Sequence, residues 1–246
     1  MQLYFLGSGG YQPSLRRHTA CLMIPEMGLV LDAGTGAFRI ADLVKTEELT
    51  VIVSHAHLDH VAGLTFLLGA CGPDADDRVS IHAHPEVIAA VREHVFAEPI
   101  FPIVPAFRLL ELDGPLKLPA GGTLTHIPLR HPGGSMGMRL EWPGHSMAYI
   151  TDTTAHAGAD YVEFIRGVDL LVHEAYFNED GRAMAELTGH SCVEDVATVA
   201  AEAGVRRMVL VHVDPKANPD DPLDLRVARE RFPSLSVGYD GMVVEF

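Results

Sequence analysis

The feature that most constrains this chain is a short apolar run that leads directly into a cluster of imidazole and carboxylate side chains. Val51 to Val53 has the β-branched character of a buried strand, and an apolar pattern with helical spacing begins at Leu58. Four side chains able to bind a metal lie across this junction: His55, His57, Asp59 and His60. Since open α/β sheets bind their ligands at the carboxyl ends of strands, the junction predicts an α/β fold with a polar site there.

The residue types in this cluster favour a divalent metal. Imidazole and carboxylate ligands suit zinc and also accept manganese or iron, and no thiolate is present to select a softer ion. His55 and His57 point the same way on an extended turn, whereas Asp59 and His60 project differently. One ion cannot easily use all four, so we expect two divalent ions, with zinc first. Chance clustering among fourteen histidines is the alternative.

Three further side chains extend this ligand set. His131, Asp152 and His212 each come at the end of an apolar strand pattern. A residue in such a place, taken alone, is more often part of a capped turn or a buried polar group. All three at strand ends, together with the first cluster, predict the remaining ligands of a two-metal hydrolytic site.

Composition limits the classes of partner. A chain of 246 residues fits a single domain over 1–246 with a sizeable core. The net charge of −15 disfavours a long nucleic acid, whereas two bound divalent ions would attract a small anionic substrate. No run of 18 apolar residues is present, so no membrane partner is expected. Three scattered cysteines without a CxxC pair indicate a reducing compartment, and we expect a cytoplasmic protein.

The order of strand and helix patterns predicts the fold class. A hairpin is expected at Thr19–Ile24 and Leu29–Leu31, a polar turn at Pro73–Arg78, and an antiparallel meander from Phe107 to Ile150. The last third alternates, with helices expected at Ala159–Ile165, Val193–Ala203 and near Leu223–Arg231, and strands at Asp169–Val172, Met208–Val211 and Met242–Phe246. Two halves that each place strands before helices predict a four-layer αββα sandwich.

The motif His55-Ala-His57-Leu-Asp59-His60, followed by His131, Asp152 and His212, resembles the metallo-β-lactamase superfamily over nearly the whole chain. The resemblance implies an αββα fold with the following ligand sets: His55, His57 and His131 for one metal, Asp59, His60 and His212 for the other, and Asp152 as the bridge. It also implies hydrolysis, because the diiron oxygen reductases of the superfamily carry Glu where His57 stands. β-Lactam hydrolysis is disfavoured, since those enzymes typically use Cys where Asp152 stands.

A second pair of motifs is similar to those of ribonuclease Z and related phosphodiesterases. Val172-His173-Glu174-Ala175 and Gly189-His190-Ser191 resemble the HEAT and HST motifs of that branch, with Tyr176 and Cys192 in place of Thr. The resemblance implies that His190 protonates the leaving oxygen and that Glu174 orients it. Histidine suits this role because it can donate a proton near neutral pH. The alternative is that His190 merely precedes a helix.

The chain departs from ribonuclease Z in one respect. That family has a Gly/Pro-rich arm for gripping tRNA after its third histidine position, whereas only twenty residues separate His131 from Asp152 here. The shorter segment resembles small bacterial phosphodiesterases that act on cyclic nucleotides or cyclic phosphates. We therefore expect a dinuclear phosphodiesterase for small diesters, in which Asp59 positions a metal-bridging hydroxide for in-line attack on phosphorus.

Three other functions stay open. A metal-dependent ester, thioester or lactone hydrolase would use the same chemistry on a carbonyl, a tRNA 3′-processing endonuclease would need a basic face, and a scaffold would have lost catalysis. Specificity is expected from the Gly7–Arg17 loop, from the proline-rich Glu98–Pro105 segment, and from Tyr176 and Phe177. The sequence leaves open the substrate, the metal, a homodimer, and whether Arg16 or Arg17 contacts substrate.

Overall fold

The computed structural model describes residues 1–72, 78–218 and 220–246. The chain divides into two units, Met1–Gly114 with Tyr239–Glu245 and Pro115–Gly238 with Phe246. The polar turn predicted at Pro73–Arg78 lies, apart from Arg78, outside the described residues. Within the described part of the chain, no helix has the length and apolar character needed to cross a membrane.

The first unit is built on a seven-stranded mixed sheet. Its strands are β1 (Gln2–Gly7), β2 (Cys21–Ile24), β3 (Leu29–Leu31), β4 (Leu49–Ile52), β5 (Val79–Ala83), β6 (Arg108–Glu111) and β14 (Val243–Glu245). They lie in the order β14-β1-β2-β3-β4-β5-β6, antiparallel from β14 to β3 and parallel from β3 to β6. The parallel strands β3 and β4 consist of apolar runs because both of their faces are covered.

The helices of the first unit are short and partly irregular. They are α1 (Ile40–Leu43), α2 (Leu58–Val61), α3 (Leu67–Cys71) and α4 (Pro85–Ala90), with 3₁₀ turns at Thr35–Arg39 and Ala62–Phe66 and a π turn at Val91–Val95. Ile40, Leu64 and Leu67 pack with Val30 and Val51 of the sheet, and all five are buried. The hydrophobic face of the helices therefore holds the carboxyl ends of β3 and β4 in place.

The second unit contains another seven-stranded mixed sheet. Its strands are β7 (Leu116–Leu118), β8 (Gly122–Leu129), β9 (Ser135–Trp142), β10 (His145–Ile150), β11 (Leu170–Glu174), β12 (Met208–Val211) and β13 (Leu235–Val237). The order is β13-β12-β11-β10-β9-β8-β7, parallel from β13 to β10 and antiparallel from β10 to β7. Its helices are α5 (Arg182–Thr188), α6 (Val193–Ala203) and α7 (Arg226–Arg231). The buried face of α6 packs on Leu171 and Leu210.

The structure confirms most of the expected elements and the α/β class. The hairpin of β2 and β3, the antiparallel run of β7 to β10, and α6 lie where the sequence predicts them. The prediction is wrong for the first strand of the meander. This strand, β6, pairs in parallel with β5 in the first sheet, where Ser80 lies opposite Arg108. The final strand, β14, likewise returns to the first sheet beside β1.

The helix predicted at Ala159–Ile165 is also wrong. The segment forms successive turns, in which the Val162 amide donates to Ala159 O at 2.9 Å and the Ile165 amide to Tyr161 O at 3.1 Å. Mixed three- and four-residue spacing replaces a regular helix, although all four of these side chains are buried as an apolar helical face would be. The helix expected near Leu223–Arg231 is shorter than predicted and begins at Arg226.

Candidate functional site

Four predicted ligands lie together in the first unit, just beyond the carboxyl end of β4. The His55 ring centroid is 4.6 Å from that of His57 and 4.1 Å from that of His60. His60 Nε2 is 3.6 Å from Asp59 Oδ2. The extended backbone of His57 ends just before α2, so Asp59 and His60 occupy the first turn of that helix. His55 and His60 are buried, whereas His57 is exposed.

The buried carboxylate of Asp32 orients both buried imidazoles of this cluster. His60 Nδ1 lies 2.8 Å from Asp32 Oδ2, and a carboxylate only accepts, so Nδ1 carries the proton. The Ser54 hydroxyl donates to Asp32 at 2.9 Å and accepts from His55 Nδ1 at 3.0 Å. The Nε2 atoms of both histidines are thereby left as the unprotonated, metal-binding nitrogens. These contacts make Asp32 a supporting residue of the cluster, since its oxygens accept from Ser54 and His60.

The second unit holds the other three predicted ligands, which follow β8, β10 and β12. His131 Nε2 lies 3.7 Å and His212 Nε2 3.3 Å from Asp152 Oδ2. The side chains of all three are almost fully buried. His131 Nδ1 is 2.9 Å from Gly189 O, which can only accept, so Nε2 is again the nitrogen turned toward the carboxylate. The three residues are therefore grouped within one unit, as their places at strand ends predict.

His190 lies among these residues in the second unit. Its ring stacks on that of His212 at 5.0 Å and on that of Tyr176 at 5.3 Å, and the His131 ring is 5.1 Å away. His190 Nδ1 is 3.6 Å from Oε1 of Glu174, whose side chain is fully buried. The imidazole thus packs against two rings that also contact each other, with centroids 5.8 Å apart, and a carboxylate lies near its Nδ1. This is the arrangement that positions a histidine to pass a proton from its other nitrogen.

His173 and Ser191 attach the two motifs to neighbouring segments of the second unit, and sequence reasoning assigned neither a role. Burial lowers the pKa of His173 to about 4, so the ring is neutral, donating to Glu174 O at 2.7 Å and accepting from Tyr161 Oη at 2.8 Å. The Ser191 hydroxyl donates to Thr153 O at 2.8 Å. Both lie inside the HEAT-like and HST-like motifs, so that resemblance was the available signal.

The donor set fits a divalent metal. The chain offers imidazole nitrogens and carboxylate oxygens, the ligands that zinc, manganese and iron accept. Within each unit, imidazole nitrogens lie 3.3–3.7 Å from a carboxylate oxygen. Two ligand atoms about 2.0–2.2 Å from one tetrahedral ion are separated by roughly 3.3–3.6 Å. Glu174, His190 and His212 also offer three atoms within 4.8 Å of one another, so the geometry alone allows His190 to be a ligand.

A cavity of about 590 Å³ opens beside His131 and His190 in the second unit. Its other lining residues include Arg130, His156 and Arg182. The positive charge of Arg182 is balanced by salt bridges to Glu179 and Asp195. The size suits a ligand as large as a nucleotide.

Comparison with known proteins gives the family. A family described as "Beta-lactamase superfamily domain" matches residues 29–213. The chain is 30% identical to a Ribonuclease Z of Salinibacter ruber, with 94% of this chain and 90% of that protein aligned. It is 29% identical to a Ribonuclease Z of Nostoc sp., with 100% and 95% aligned.

Solved structures share the fold. The metallo-beta-lactamase fold protein YhfI from Bacillus subtilis superimposes with a TM-score of 0.80 at 22% identity, covering 100% of this chain and 99% of that one. A diphosphatase from the PhnP family gives a TM-score of 0.75 at 20% identity, covering 100% and 97%. The predicted αββα fold class is confirmed by these neighbours. The chain belongs to the metallo-β-lactamase superfamily and is a metal-dependent hydrolase of its ribonuclease Z-like branch.

Proposed function

We propose that the chain is a phosphodiesterase for small diesters, cyclic nucleotides or cyclic phosphates first among them. The observation that carries this proposal is the setting of His190, whose ring packs on those of Tyr176 and His212 and whose Nδ1 lies 3.6 Å from Glu174. A positioned acid matters most when the departing group is a poor one, such as the alkoxide of a nucleoside. Aryl esters and thioesters release weaker bases and need such help less, which favours the phosphodiester over these two classes.

The proposal includes two divalent metal ions, with zinc first. The ligands would be those that the superfamily resemblance implies: His55, His57 and His131 for one ion, Asp59, His60 and His212 for the other, and Asp152 for both. Divalent ions supply Lewis acidity, which favours ionisation of a water and offsets charge on the phosphoryl oxygens. Asp59 would orient the attacking oxygen. Its Oδ2 accepts a hydrogen bond from the Tyr11 amide at 2.8 Å, so the carboxylate has a defined direction.

His190 and Glu174 would move the proton in the last step. Glu174 would favour the protonated imidazole by its charge, and His190 would give its proton to the departing oxygen as the P–O bond breaks. The backbone of Glu174 is held by His173, and its Oε1 accepts from the Thr153 amide at 3.3 Å. The pair is therefore positioned by groups that do not themselves react.

Three observations support a small substrate. The cavity beside His190 has about 590 Å³, enough for a nucleotide. The Nostoc alignment runs over 307 positions although this chain has 246 residues, so that relative carries segments with no counterpart here. The acidic balance of the chain also opposes a long polyanion.

A second candidate is cleavage of tRNA precursors, because the curated relatives from Nostoc sp. and Salinibacter ruber are named Ribonuclease Z and align over 90% or more of their length. We further propose that residues 1–246 are one domain, supported by a family match that spans both units. A cytoplasmic location is supported by three free, buried cysteines. A homodimer stays a prediction that light scattering would check.

The test is a leaving-group series on His190→Ala. The wild type is loaded with zinc or manganese and assayed on bis-p-nitrophenyl phosphate, 2′,3′- and 3′,5′-cyclic nucleotides, a tRNA precursor and a lactone panel. His190→Ala should keep its metal and lose about 10²–10⁴-fold in turnover of alkyl diesters, with a smaller loss for p-nitrophenyl esters. His145→Ala, an exposed histidine of the same unit, is the control.

Each contrary outcome is distinct. Full turnover of an alkyl diester by His190→Ala would remove its role as proton donor. Loss of bound metal in that variant would instead make His190 a ligand with Glu174 and His212. Cleavage of the tRNA precursor in preference to every small diester would establish the second candidate. Activity confined to lactones or thioesters would contradict the phosphodiesterase proposal altogether.

A further inference from the structure

The loop that follows β1, Gly7–His18, is fastened at both of its ends by one carboxylate. Ser8 donates to Asp240 Oδ1 from its amide at 3.0 Å and from its hydroxyl at 2.8 Å. The His18 amide donates to Asp240 Oδ2 at 2.7 Å, and Arg39 pairs with the same oxygen at 3.2 Å. The Asp240 side chain is only 6% exposed. Buried charge-assisted hydrogen bonds of this kind hold a loop more firmly than neutral ones.

Contacts inside the loop define its path between these ends. The Gly9 amide donates to His18 O at 2.9 Å, and the Ser14 amide donates to Arg17 O at 2.8 Å. The Arg17 guanidinium donates to Ser8 Oγ at 2.8 Å, so this half-buried arginine supports the loop itself. The loop therefore has a defined conformation, which fixes the position of its tip.

Tyr11 lies at the tip of this loop, in an unusual conformation. Its φ is +64°, in the left-handed region that costs a bulky residue about 1–3 kcal/mol and costs glycine nothing. Its amide donates to Asp59 Oδ2 at 2.8 Å, beside the candidate ligands of the first unit. Its side chain is 74% exposed, so the ring does not repay the backbone cost by packing in the core. Glycine would make the same amide contact without strain.

We propose that Tyr11 is a specificity-determining residue whose ring stacks on an aromatic group of the substrate, a nucleobase or an aryl ester group. This inference rests on the proposed function and deepens it. The hydrogen bond from the Tyr11 amide to Asp59 fixes the backbone, so only the side-chain torsions of Tyr11 remain free. Little conformational entropy is therefore lost when its ring contacts a ligand. Stacking is also independent of charge, which matters in a chain with a net charge of −15.

The experiment compares two diesters with the same leaving group. Bis-p-nitrophenyl phosphate and methyl p-nitrophenyl phosphate both release p-nitrophenolate, and they differ in whether the retained group is aromatic. Tyr11→Ala and Tyr11→Gly should lower the ratio of kcat/KM values, aryl over methyl, by about 5- to 150-fold, the range found for removal of a stacking partner. Tyr11→Phe should keep the wild-type ratio. Leu110→Ala, at an exposed position on β6 of the same unit, is the control and should keep the wild-type ratio.

Tyr11→Gly separates stacking from folding. Removal of the left-handed strain should raise the melting temperature of this variant, because glycine adopts φ of +64° at no cost. A lower ratio in a more stable protein cannot come from partial unfolding. An unchanged ratio in both Tyr11→Ala and Tyr11→Gly overturns the inference.

A binding measurement distinguishes this inference from the proposed function. Calorimetry on the metal-loaded protein compares adenosine 5′-monophosphate with ribose 5-phosphate, which lacks the base. Tyr11→Ala should weaken binding of the nucleotide at least fivefold and leave that of the sugar phosphate unchanged. If the wild type hydrolyses neither diester and the nucleotide is still selectively weakened, the phosphodiesterase proposal fails and the stacking contact stands. If both diesters are hydrolysed and neither assay responds to Tyr11, the contact alone fails.

Discussion

His60 donates a hydrogen bond from Nδ1 to Oδ2 of Asp32 at 2.8 Å, and both side chains are fully buried. The same carboxylate receives the Ser54 hydroxyl, which in turn accepts from His55 Nδ1. Asp32 holds this position with φ of +57°, a conformation that a non-glycine residue keeps only where the surroundings require it. One carboxylate therefore sets the protonated nitrogen of two candidate ligands.

We expect Asp32→Asn to weaken metal binding. Asp32 Oδ2 accepts from His60 and from the Ser54 hydroxyl, and Oδ1 accepts from the Ser54 amide at 2.7 Å. An amide side chain has one acceptor oxygen, so its NH2 group would face one of these donors, and loss of such supporting contacts typically costs about 10–100-fold in metal affinity. Competition with a chelator measures the change. Asp42→Asn, at an exposed position on α1, is the matched control and should bind metal as the wild type does. Equal affinity in the two variants would contradict this role.

We expect Glu174→Gln and His190→Ala to act on one step. If Glu174 works through His190, Glu174→Gln should lower turnover of alkyl diesters about 10-fold or more. The double variant should then lose no more turnover than His190→Ala alone. Glu194→Gln is the control, since Glu194 is another buried glutamate of the second unit. Multiplication of the two losses in the double variant would show that the residues act independently.

The sequence predicted the strand ends well because each has a local signature. Apolar β-branched runs before His55 and His212, and the apolar run Met147–Ile150 before Asp152, mark where a strand stops and a polar side chain begins. Asp32 has the same signature, as it follows the apolar strand Leu29–Leu31. A local pattern is enough to identify such a strand, because burial of both of its faces restricts its residues to apolar types.

Other features lacked a local signature. The Phe107–Leu112 pattern identifies a strand but not its partner, and β6 joins β5 in parallel because pairing is decided by tertiary contacts. Helix α5 was missed because only Ala185 of its seven residues is buried, which leaves no apolar period. The fastening of Ser8 and His18 by Asp240 joins residues more than 220 positions apart, and no single sequence shows such a contact.

We expect Gly189→Ala to displace the candidate ligand His131, and Gly204→Ala is its control. Both glycines end helices with positive φ, +75° and +62°. A Cβ on Gly189 would overlap Pro132 Cδ and lie 3.1 Å from His131 Nδ1. Around a Cβ on Gly204, no described atom outside its chain neighbours and its own helix backbone lies within 4 Å. Gly204→Ala should therefore lose only about 1–2 kcal/mol from the left-handed backbone.

Gly189→Ala should lose more stability than its control, and it should also weaken metal binding because His131 must move. Denaturant unfolding gives the first quantity and chelator competition the second. Equal stability losses, with metal affinity unchanged in both variants, would show that the segment from Pro132 accommodates the methyl group and that the Gly189 contact does not position His131.

The buried His173 should make the stability of the protein depend on pH in the acid range. Burial lowers the pKa of His173 to about 4 in the folded protein, whereas an unfolded histidine titrates near 6.5. The folded state therefore binds fewer protons between these values, so the contribution of His173 to stability is complete above about pH 6.5 and is lost as the pH falls toward 4. The shift corresponds to about 3 kcal/mol of unfolding free energy at most.

His173→Gln removes this titration and keeps a side chain able to donate and accept. We expect the variant to be less stable than the wild type at pH 7.5, because the contacts to Glu174 O and Tyr161 Oη at 2.7 and 2.8 Å are not both reproduced. The difference between the two proteins should shrink by about 1–3 kcal/mol between pH 6.5 and 4.5, since only the wild type must protonate His173 on unfolding. Urea unfolding across that range measures it. A difference that stays constant with pH would mean that His173 has the same pKa folded and unfolded, and that its ring does not hold Glu174 as a neutral donor.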